Sequence, residues 1–452
     1  MHHPGEDAFG ISLPGINDSG ERQRFYYHSQ EETVMGTSSR RDFLKNVAVS
    51  GTATGVGLTS AGLFPRSIPA AEESGTQNIK YRQLGSTGYK VSVIGFGAMN
   101  MRDPELVHAA IDNGINYIDT ANGYMRGENE EVIGSVMKTK RDKVFLTTKL
   151  GGRNPASMPE MLATSLRRLQ TDHVDLLLLH NVGGTEQILN DDMMKFFDDA
   201  RRKGQTRFIG FSTHNFQGEF ADAAINSEFW EAVLLVYNYL SPPTVAQSIK
   251  KARESGMAVI GMKSLLKVEA RPPGPPPERR EQRETGDQPR RRRSPREPIE
   301  DIREDKTSET TPQQALLKWV LSNPHVDTII PGMTSFEQLT DDLAVMRMKL
   351  TFDDRRMLRR YSERIQGRYC YSLSGCTGCR DKCPYGVEVN EINRCLGYAY
   401  GYGDIELARE NYRALPKTNH VAVCADCSEC AVQCVHGLDL TESIQRAREL
   451  FA

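Results

Sequence analysis

No cysteine precedes Cys370 in this chain of 452 residues, and all nine cysteines lie between that residue and Cys434. A disulfide scaffold in an exported protein would spread its cysteines along the chain, so this crowding favours a local metal or cluster site. The sequence also lacks an excess of either charge, since its formal net charge is −2. We therefore expect neither a nucleic-acid partner nor a membrane-surface partner.

An apolar run long enough to span a membrane is lacking as well. The best candidate, residues 47–64, is interrupted by glycine, serine and threonine, so we expect no integral membrane segment. The pair Arg40-Arg41 precedes it in a twin-arginine pattern, which predicts a Tat-type signal region over residues 39–71 and export to the periplasm or another extracytoplasmic compartment. Residues 1–38 are predicted to be a disordered N-terminal extension.

From Tyr81 onward, short runs rich in Val, Ile and Leu alternate with amphipathic helical segments such as 104–112, 158–169 and 243–254. Eight such runs are present, at 91–95, 116–119, 144–149, 174–180, 207–212, 232–237, 258–262 and 328–331. Buried parallel strands separated by helices predict an α/β fold, a (β/α)8 TIM barrel over residues 80–350. A doubly wound open sheet is the alternative, which the repeat number and the polar residues at the strand ends disfavour.

Two segments interrupt the barrel pattern. Residues 267–311 are rich in Pro, Arg and Glu and almost free of apolar residues, so they predict a disordered insertion within the barrel. Thr311 and Gln314 then form a capping-box pattern with Pro312 at the first helical position, which predicts a helix start. The cysteine-rich region occupies residues 366–452 and is the second interruption.

Three side chains suited to proton transfer, Asp119, Lys149 and His180, end consecutive predicted strands, and Tyr124 follows Asp119 by five residues. In a TIM barrel the chemistry lies at the carboxyl ends of the strands, where these residues would meet. Carbonyl reduction by a nicotinamide needs a proton for the oxygen, which a tyrosine hydroxyl can supply. We expect the ammonium to lower the pKa of the tyrosine, the carboxylate to hold the ammonium, and the imidazole to orient the carbonyl.

Four motifs resemble those of a known family, namely residues 81–88 (YRQLGSTG), 95–97 (GFG), 119–124 (DTANGY) and 179–180 (LH). From Tyr81 to Leu350, insertion excluded, the chain resembles the aldo-keto reductase superfamily. The resemblance implies a nicotinamide-dependent oxidoreductase that acts on a small-molecule carbonyl or alcohol. It also implies Tyr124 as general acid, with Asp119, Lys149 and His180 as its partners.

The resemblance places the cofactor contacts on the later strands and the loop after strand eight. These candidates are Ser212, Met262, Gly332, Thr334, Ser335 and Gln338. Met262 stands where relatives stack a tyrosine on the nicotinamide, and Gly332 and Gln338 stand where NADP-specific relatives carry a Lys and an Arg. Because the charge-assisted contacts to a 2′-phosphate are missing, both NADP and NAD remain open.

The cysteine-rich region contains two motifs: Cys376, Cys379 and Cys383 with x2 and x3 spacing, then Cys424, Cys427, Cys430 and Cys434 with x2, x2 and x3 spacing. The second is the run of a bacterial ferredoxin, so we predict a mainly α-helical ferredoxin-like domain that binds one or two [4Fe–4S] clusters. By that analogy Cys383 would join the first three cysteines of the second run. A second cluster would need Cys370 or Cys395, and structural zinc is the alternative.

Two functions follow from these patterns. The first is an enzyme that moves hydride between a nicotinamide and a carbonyl or alcohol, with a redox partner protein if electrons enter through the cluster. The second is a cofactor-holding electron-transfer or binding module without carbonyl turnover, which the altered positions Met262 and Gln338 motivate.

Overall fold

The computed structural model describes residues 79–265, apart from 153, and residues 310–451, apart from 368, 402 and 403. The predicted N-terminal extension, the predicted signal region and nearly all of the predicted insertion lie outside the described residues. The predicted capping box is confirmed, because Thr311 and Gln314 cap each other at the start of a helix.

Ten strands lie within the described residues. The first two, β1 (Tyr81–Gln83) and β2 (Lys90–Ser92), pair antiparallel as a hairpin. The other eight follow in chain order: β3 (Phe96–Gly97), β4 (Tyr117–Asp119), β5 (Phe145–Leu150), β6 (Val174–Leu179), β7 (Thr206–Thr213), β8 (Ala232–Val236), β9 (Ala258–Met262) and β10 (Thr328–Ile329).

Strands β3 to β10 form one sheet of eight parallel strands, each paired with its neighbour in the sequence. Parallel bridges from Ile94 to Ile329 and from Gly97 to Gly332 join the two ends of this sheet. The barrel prediction is therefore confirmed, and the open-sheet alternative is wrong. At Gly97 an added Cβ would lie 2.6 Å from the Ile330 carbonyl oxygen, so the closing strands approach where only glycine fits.

The predicted first strand, residues 91–95, needs a correction. Its beginning lies in the hairpin, where Val91 pairs with Arg82, and the barrel strand proper begins later, at Phe96. The hairpin contributes Leu84 and Val91 to the apolar interior of the barrel, and both are fully buried. The sequence pattern could not show where the hairpin ends and the barrel strand begins, because one continuous apolar run contributes first to the hairpin and then to the barrel.

Thirteen α-helices lie within the described part of the chain: α1 (Pro104–Asp112), α2 (Glu128–Lys140), α3 (Met158–Leu169), α4 (Thr185–Ile188), α5 (Asp191–Arg202), α6 (Gly218–Asn226), α7 (Pro243–Glu254), α8 (Pro312–Leu321), α9 (Phe336–Val345), α10 (Phe352–Ile365), α11 (Val389–Gly401), α12 (Ile405–Arg413) and α13 (Leu440–Phe451). The predicted helices at 104–112, 158–169 and 243–254 are confirmed to the residue. None of the helices described is both long and apolar enough to cross a membrane.

Four apolar clusters of the described residues hold these elements together, and the smallest packs α8 against α10. The largest lies between the barrel strands and their surrounding helices, and includes Phe197, Phe211 and Trp230. A second fills the barrel interior, where the rings of Tyr117 and Phe145 stack 5.6 Å apart. A third belongs to the cysteine-rich region and packs α11, α12 and α13 together. Burial of these side chains stabilises the fold by about 25 cal/mol for each Å² of apolar surface that is removed from water.

Candidate active site

Asp119 and Lys149 form a buried ion pair at the carboxyl ends of β4 and β5. The Lys149 Nζ donates to Asp119 Oδ1 at 2.5 Å and to the backbone oxygen of Thr120 at 2.7 Å. Their side chains are 2% and 1% exposed, so water does not screen the pair. Parallel β4 and β5 place these residues on the same rim of the barrel, as the sequence predicts.

Tyr124 and His180 lie beside this pair. The Lys149 Nζ donates to the Tyr124 hydroxyl at 3.3 Å and lies 4.8 Å from the centre of its ring. The imidazole of His180 meets the same ring edge-on, with the ring centres 5.9 Å apart. The structure therefore brings all four predicted residues together around one phenol.

The chain bends sharply immediately after Tyr124. Met125, Arg126 and Gly127 all have positive φ values, of 51°, 58° and 100°. Two consecutive non-glycine residues in the left-handed region store conformational strain, and such strain concentrates at functional sites. The φ of 100° at Gly127 favours glycine, and a Cβ there would also displace the Arg168 guanidinium, which would lie 2.2 Å away.

Polar residues that the sequence patterns did not reveal hold this loop in place. The buried Glu130 accepts a hydrogen bond from Thr148 at 2.7 Å, and Arg168 reaches both Glu130 and the Asn122 backbone oxygen. Asn129, also fully buried, accepts from the Thr120 hydroxyl at 2.6 Å. Asn129 and Glu130 lie in the first turn of α2, where Asn and Glu are common in any helix. The sequence therefore gives no sign that these two residues support the active-site loop.

Burial and charge act in opposite directions on the ion pair. Burial lowers the pKa of Lys149, but Asp119 and Tyr124 more than offset this, and the net pKa is raised. Burial raises the pKa of Asp119, and the ammonium of Lys149 only partly offsets it. Lys149 therefore stays an ammonium over the whole neutral range.

The expected lowering of the Tyr124 pKa is not found. Burial raises the pKa of Tyr124, and the nearby charges of Lys149 and Lys263 only partly offset that effect. The residue is consequently a protonated phenol near neutral pH. Burial, with the charges of Lys149, Lys263 and Arg394, lowers the pKa of His180 to about 3, so its imidazole is neutral there.

The predicted cofactor residues occupy the rim beyond the phenol. Ser212 is buried near the end of β7, where its hydroxyl oxygen accepts a hydrogen bond from the Asn181 backbone N–H at 2.9 Å. Met262 ends β9 and packs against the barrel interior. The loop between Gly332 and α9 is fixed by Gln338, whose side chain accepts from the Thr334 backbone at 2.7 Å, while Ser335 caps the helix.

The cysteine-rich region contacts the barrel at this same rim. The Tyr398 hydroxyl of α11 lies 3.2 Å from His214 Nε2, and Lys263 Nζ lies 4.6 Å from the centre of the Tyr398 ring. Lys263 itself follows β9 with a φ of 55°, a strained conformation at a strand end. These residues are far apart in the sequence, so only the folded chain shows that they share the active-site rim.

None of the nine cysteines, all of which lie in the described part of the chain, forms a disulfide bond. Cys383, Cys424, Cys427 and Cys430, which we call the cavity set, line one cavity of about 380 Å³. Burial raises the pKa of Cys424, and the three other thiols of this set add to the effect. Within residues 79–265 and 310–451, at the positions described, no three His, Cys, Asp or Glu side chains form a ready site for a single metal ion.

Fold and rim together define a class of protein, a (β/α)8-barrel oxidoreductase of the aldo-keto reductase type. The model of the aldo/keto reductase family matches residues 93–363, and the chain belongs to this family.

Individual relatives match the barrel to different extents. The chain is 28% identical over 323 residues to the uncharacterized oxidoreductase YrpG of Bacillus subtilis (strain 168), covering 62% of this chain and 95% of that protein. It is 33% identical over 152 residues to the uncharacterized oxidoreductase YqkF of the same organism, covering 30% of this chain and about half of YqkF, at 49%. A solved aldo-keto reductase of Klebsiella pneumoniae, in complex with NADPH, is 25% identical, with a TM-score of 0.49 over 63% of this chain and 95% of that one.

Proposed function

We propose that this protein interconverts a small-molecule carbonyl and its alcohol with a nicotinamide cofactor, and that its cysteine-rich region holds an iron–sulfur cluster for electron transfer. The observation that carries the enzymatic part is the partly buried phenol of Tyr124 within hydrogen-bond distance of the Lys149 ammonium. Membership of the aldo/keto reductase family supports the same reaction class.

In the direction of reduction, Tyr124 gives its hydroxyl proton to the carbonyl oxygen while the carbonyl carbon is reduced. Lys149 stabilises the phenolate that this step leaves, and Asp119 keeps Lys149 charged and in position. His180 is neutral, so it orients the carbonyl oxygen by a hydrogen bond rather than by charge. When bound, a nicotinamide supplies or accepts the hydride.

The residues of the rim fit a nicotinamide dinucleotide in part. Ser212 offers a hydroxyl donor for a carboxamide, and the capped start of α9 offers backbone N–H groups for an anionic phosphate. Residues 330–338 contain no Lys or Arg, and the Gln338 side chain is engaged with Thr334. The loop therefore provides no cation for a 2′-phosphate, and comparison of NADPH with NADH as the reductant identifies the cofactor.

The cavity set would hold the proposed [4Fe–4S] cluster. Its four thiols come from both cysteine motifs and line the same cavity, as cluster ligation requires. Bound there, the cluster would supply one-electron transfer. Iron, acid-labile sulfide and zinc are measured in the anaerobically purified chain; iron with sulfide supports the proposal, and zinc without sulfide overturns it.

The enzymatic proposal is tested by NADPH and NADH oxidation with a panel of aldehydes and ketones. Tyr124→Phe removes the proton donor, so kcat for reduction should fall by about 10²–10⁴-fold. Tyr239→Phe is the matched control, because that ring packs against Trp319, and it should retain the wild-type rate. Equal rates in wild type and Tyr124→Phe overturn the proposal. A retained nucleotide without turnover of any carbonyl would instead indicate an electron-transfer module.

Export by the Tat route is part of the proposal, on the sequence of residues 39–71 alone. Replacing both Arg40 and Arg41 by lysine should hold the protein in the cytoplasm of a Tat-competent bacterium, whereas the wild type is recovered outside it. Equal distribution of both chains between the fractions would contradict this part.

A further inference from the structure

Cys370 lies outside both cysteine motifs, yet its sulfur has the same local geometry as two motif cysteines. The backbone N–H of Ser372 donates to Cys370 Sγ at 3.4 Å. The same bond from the residue two positions later is made to Cys376 Sγ, at 3.4 Å, and to Cys434 Sγ, at 3.4 Å. N–H groups aimed at sulfur stabilise the thiolate form and tune the potential of iron–sulfur ligands.

The loops that carry these cysteines are held against one another. The Cys376 backbone N–H donates to the Tyr371 carbonyl oxygen at 3.0 Å, and Cys376 Sγ lies 3.5 Å from His436 Nε2. The rings of Tyr371 and His436 pack against each other at an angle of 33°, with their centres 4.3 Å apart. The chain next to Cys370 is thereby fixed to the chain next to Cys434, although 64 residues separate the two cysteines in the sequence.

The loop geometry places Cys379 in the same group. Cys379 lies three positions after Cys376, and a Cβ added at Gly378, between them, would lie 2.7 Å from the Val435 side chain and 3.6 Å from Cys376 Sγ. The residue before Cys379 therefore packs against the residue after Cys434. Cys370, Cys376, Cys379 and Cys434 therefore form a second group of four thiols, which we call the barrel-side set.

Cys395 is the other cysteine outside the motifs, and its surroundings differ. It lies within α11, has no exposed surface, and packs in the apolar cluster of the cysteine-rich region. Burial raises the pKa of Cys395 to about 12, with Arg394 and Glu391, neighbours on its own helix, as the charged groups acting on it. Its environment is that of a core residue rather than of a ligand.

We propose that Cys370 is the fourth ligand of a second [4Fe–4S] cluster, held by the barrel-side set. The inference rests on the cluster part of the proposed function and deepens it, since it assigns each of eight thiols to one of two sites. Each thiol binds as a thiolate and releases its proton to solvent. The barrel-side set adjoins the enzyme core, because Gln217 of the barrel donates to the Gly375 carbonyl oxygen at 2.6 Å.

The test is iron and sulfide content of the full chain after anaerobic reconstitution, with electron paramagnetic resonance of the oxidised and reduced forms. Wild type should hold about eight iron and eight sulfide per chain, as two [4Fe–4S] clusters require. Cys370→Ser should lose up to half of the iron or convert one cluster to a three-iron form. Cys395→Ala is the matched control and should keep the wild-type content.

A second variant separates ligand loss from misfolding. Cys434→Ser should give a loss like that of Cys370→Ser, and the double variant should lose at most the iron of one cluster, because both cysteines belong to one site. The signal of the cavity-set cluster should persist in each variant and report a folded region. Wild-type iron in Cys370→Ser, or loss in Cys395→Ala equal to that in Cys370→Ser, overturns the assignment. About four iron in wild type also overturns it but leaves the proposed function intact, whereas no iron at all contradicts the cluster part of both.

Discussion

The Lys149 ammonium lies 3.3 Å from the Tyr124 hydroxyl and 2.5 Å from an Asp119 oxygen. The ammonium of Lys149 therefore links the partly buried phenol of Tyr124 to the buried carboxylate of Asp119. Since the pKa of Tyr124 is raised by burial, the phenol keeps its proton until a carbonyl oxygen takes it. In this arrangement Lys149 stabilises the Tyr124 phenolate that forms during reduction. It does not ionise the tyrosine before the reaction.

Asp119→Ala should destabilise the fold strongly, because it leaves the ammonium of Lys149 buried without its partner. Breaking a buried pair in this way costs roughly 3–5 kcal/mol. The double variant Asp119→Leu/Lys149→Met removes both charges and should recover much of that loss without restoring activity. Urea unfolding with a parallel activity assay checks both; a double variant as unstable as Asp119→Ala would contradict the explanation.

The rate of carbonyl reduction should show no histidine-dependent change near neutrality. Because burial and nearby cations lower the pKa of His180 to about 3, the imidazole is neutral from about pH 5 to about pH 8. At higher pH the rate should fall, since Tyr124 can donate its proton only while protonated. The measurement is kcat/KM for reduction against pH. A change in kcat/KM at about pH 6.5, the ordinary pKa of histidine, that disappears in His180→Gln would refute the claim that His180 stays neutral in this range.

Lys263→Met should move the alkaline limb of that profile to higher pH. The Lys263 charge lowers the pKa of Tyr124, although burial is the larger effect and acts in the opposite direction. Removing the charge therefore raises the pKa, and the phenol stays protonated further into the alkaline range. Lys250→Met, on the exposed face of α7, is the control. A limb that does not move, or that moves to lower pH, would contradict the assigned electrostatics.

Gly127→Ala should lower both stability and activity. A non-glycine residue at a φ of 100° costs about 1–2 kcal/mol, and the added methyl would overlap the Arg168 guanidinium. Gly123→Ala is the matched control for stability, because its φ is −84° and open space surrounds its Cβ position. Thermal unfolding of the two variants gives the comparison, and equal midpoints would show that the bend after Tyr124 is not constrained.

Local patterns were sufficient for much of this fold. Three helices, including Met158–Leu169, begin and end where their apolar periodicity and flanking residues predict. The four residues of the site were also predictable, since each lies at or shortly after the carboxyl end of a strand and parallel strands end on one rim. The division of residues 91–95 between hairpin and barrel was not, because it depends on the pairing of Val91 with Arg82 and on barrel closure through Ile94.

The sequence could not show how deeply the site residues are buried or which distant residues contact them. A spacing motif suggests that an amine lies near Tyr124, but it carries no measure of the burial that raises the pKa of that phenol. Likewise, Tyr398 and Lys263 become neighbours only because α11 packs against the barrel. Cys370 lies outside the motif spacings. Its position near the other cysteines becomes visible only in the folded chain, where the rings of Tyr371 and His436 are in contact.

The most direct test of the central claim is a double-mutant cycle on Tyr124 and Lys149, with the rate of NADPH or NADH oxidation in a single turnover as the readout. If Lys149 acts through the phenol, Lys149→Met should slow the wild type strongly and should add almost nothing to the loss already caused by Tyr124→Phe. Losses that simply add in free energy would mean that the two side chains act independently, and the proposed proton transfer would be wrong.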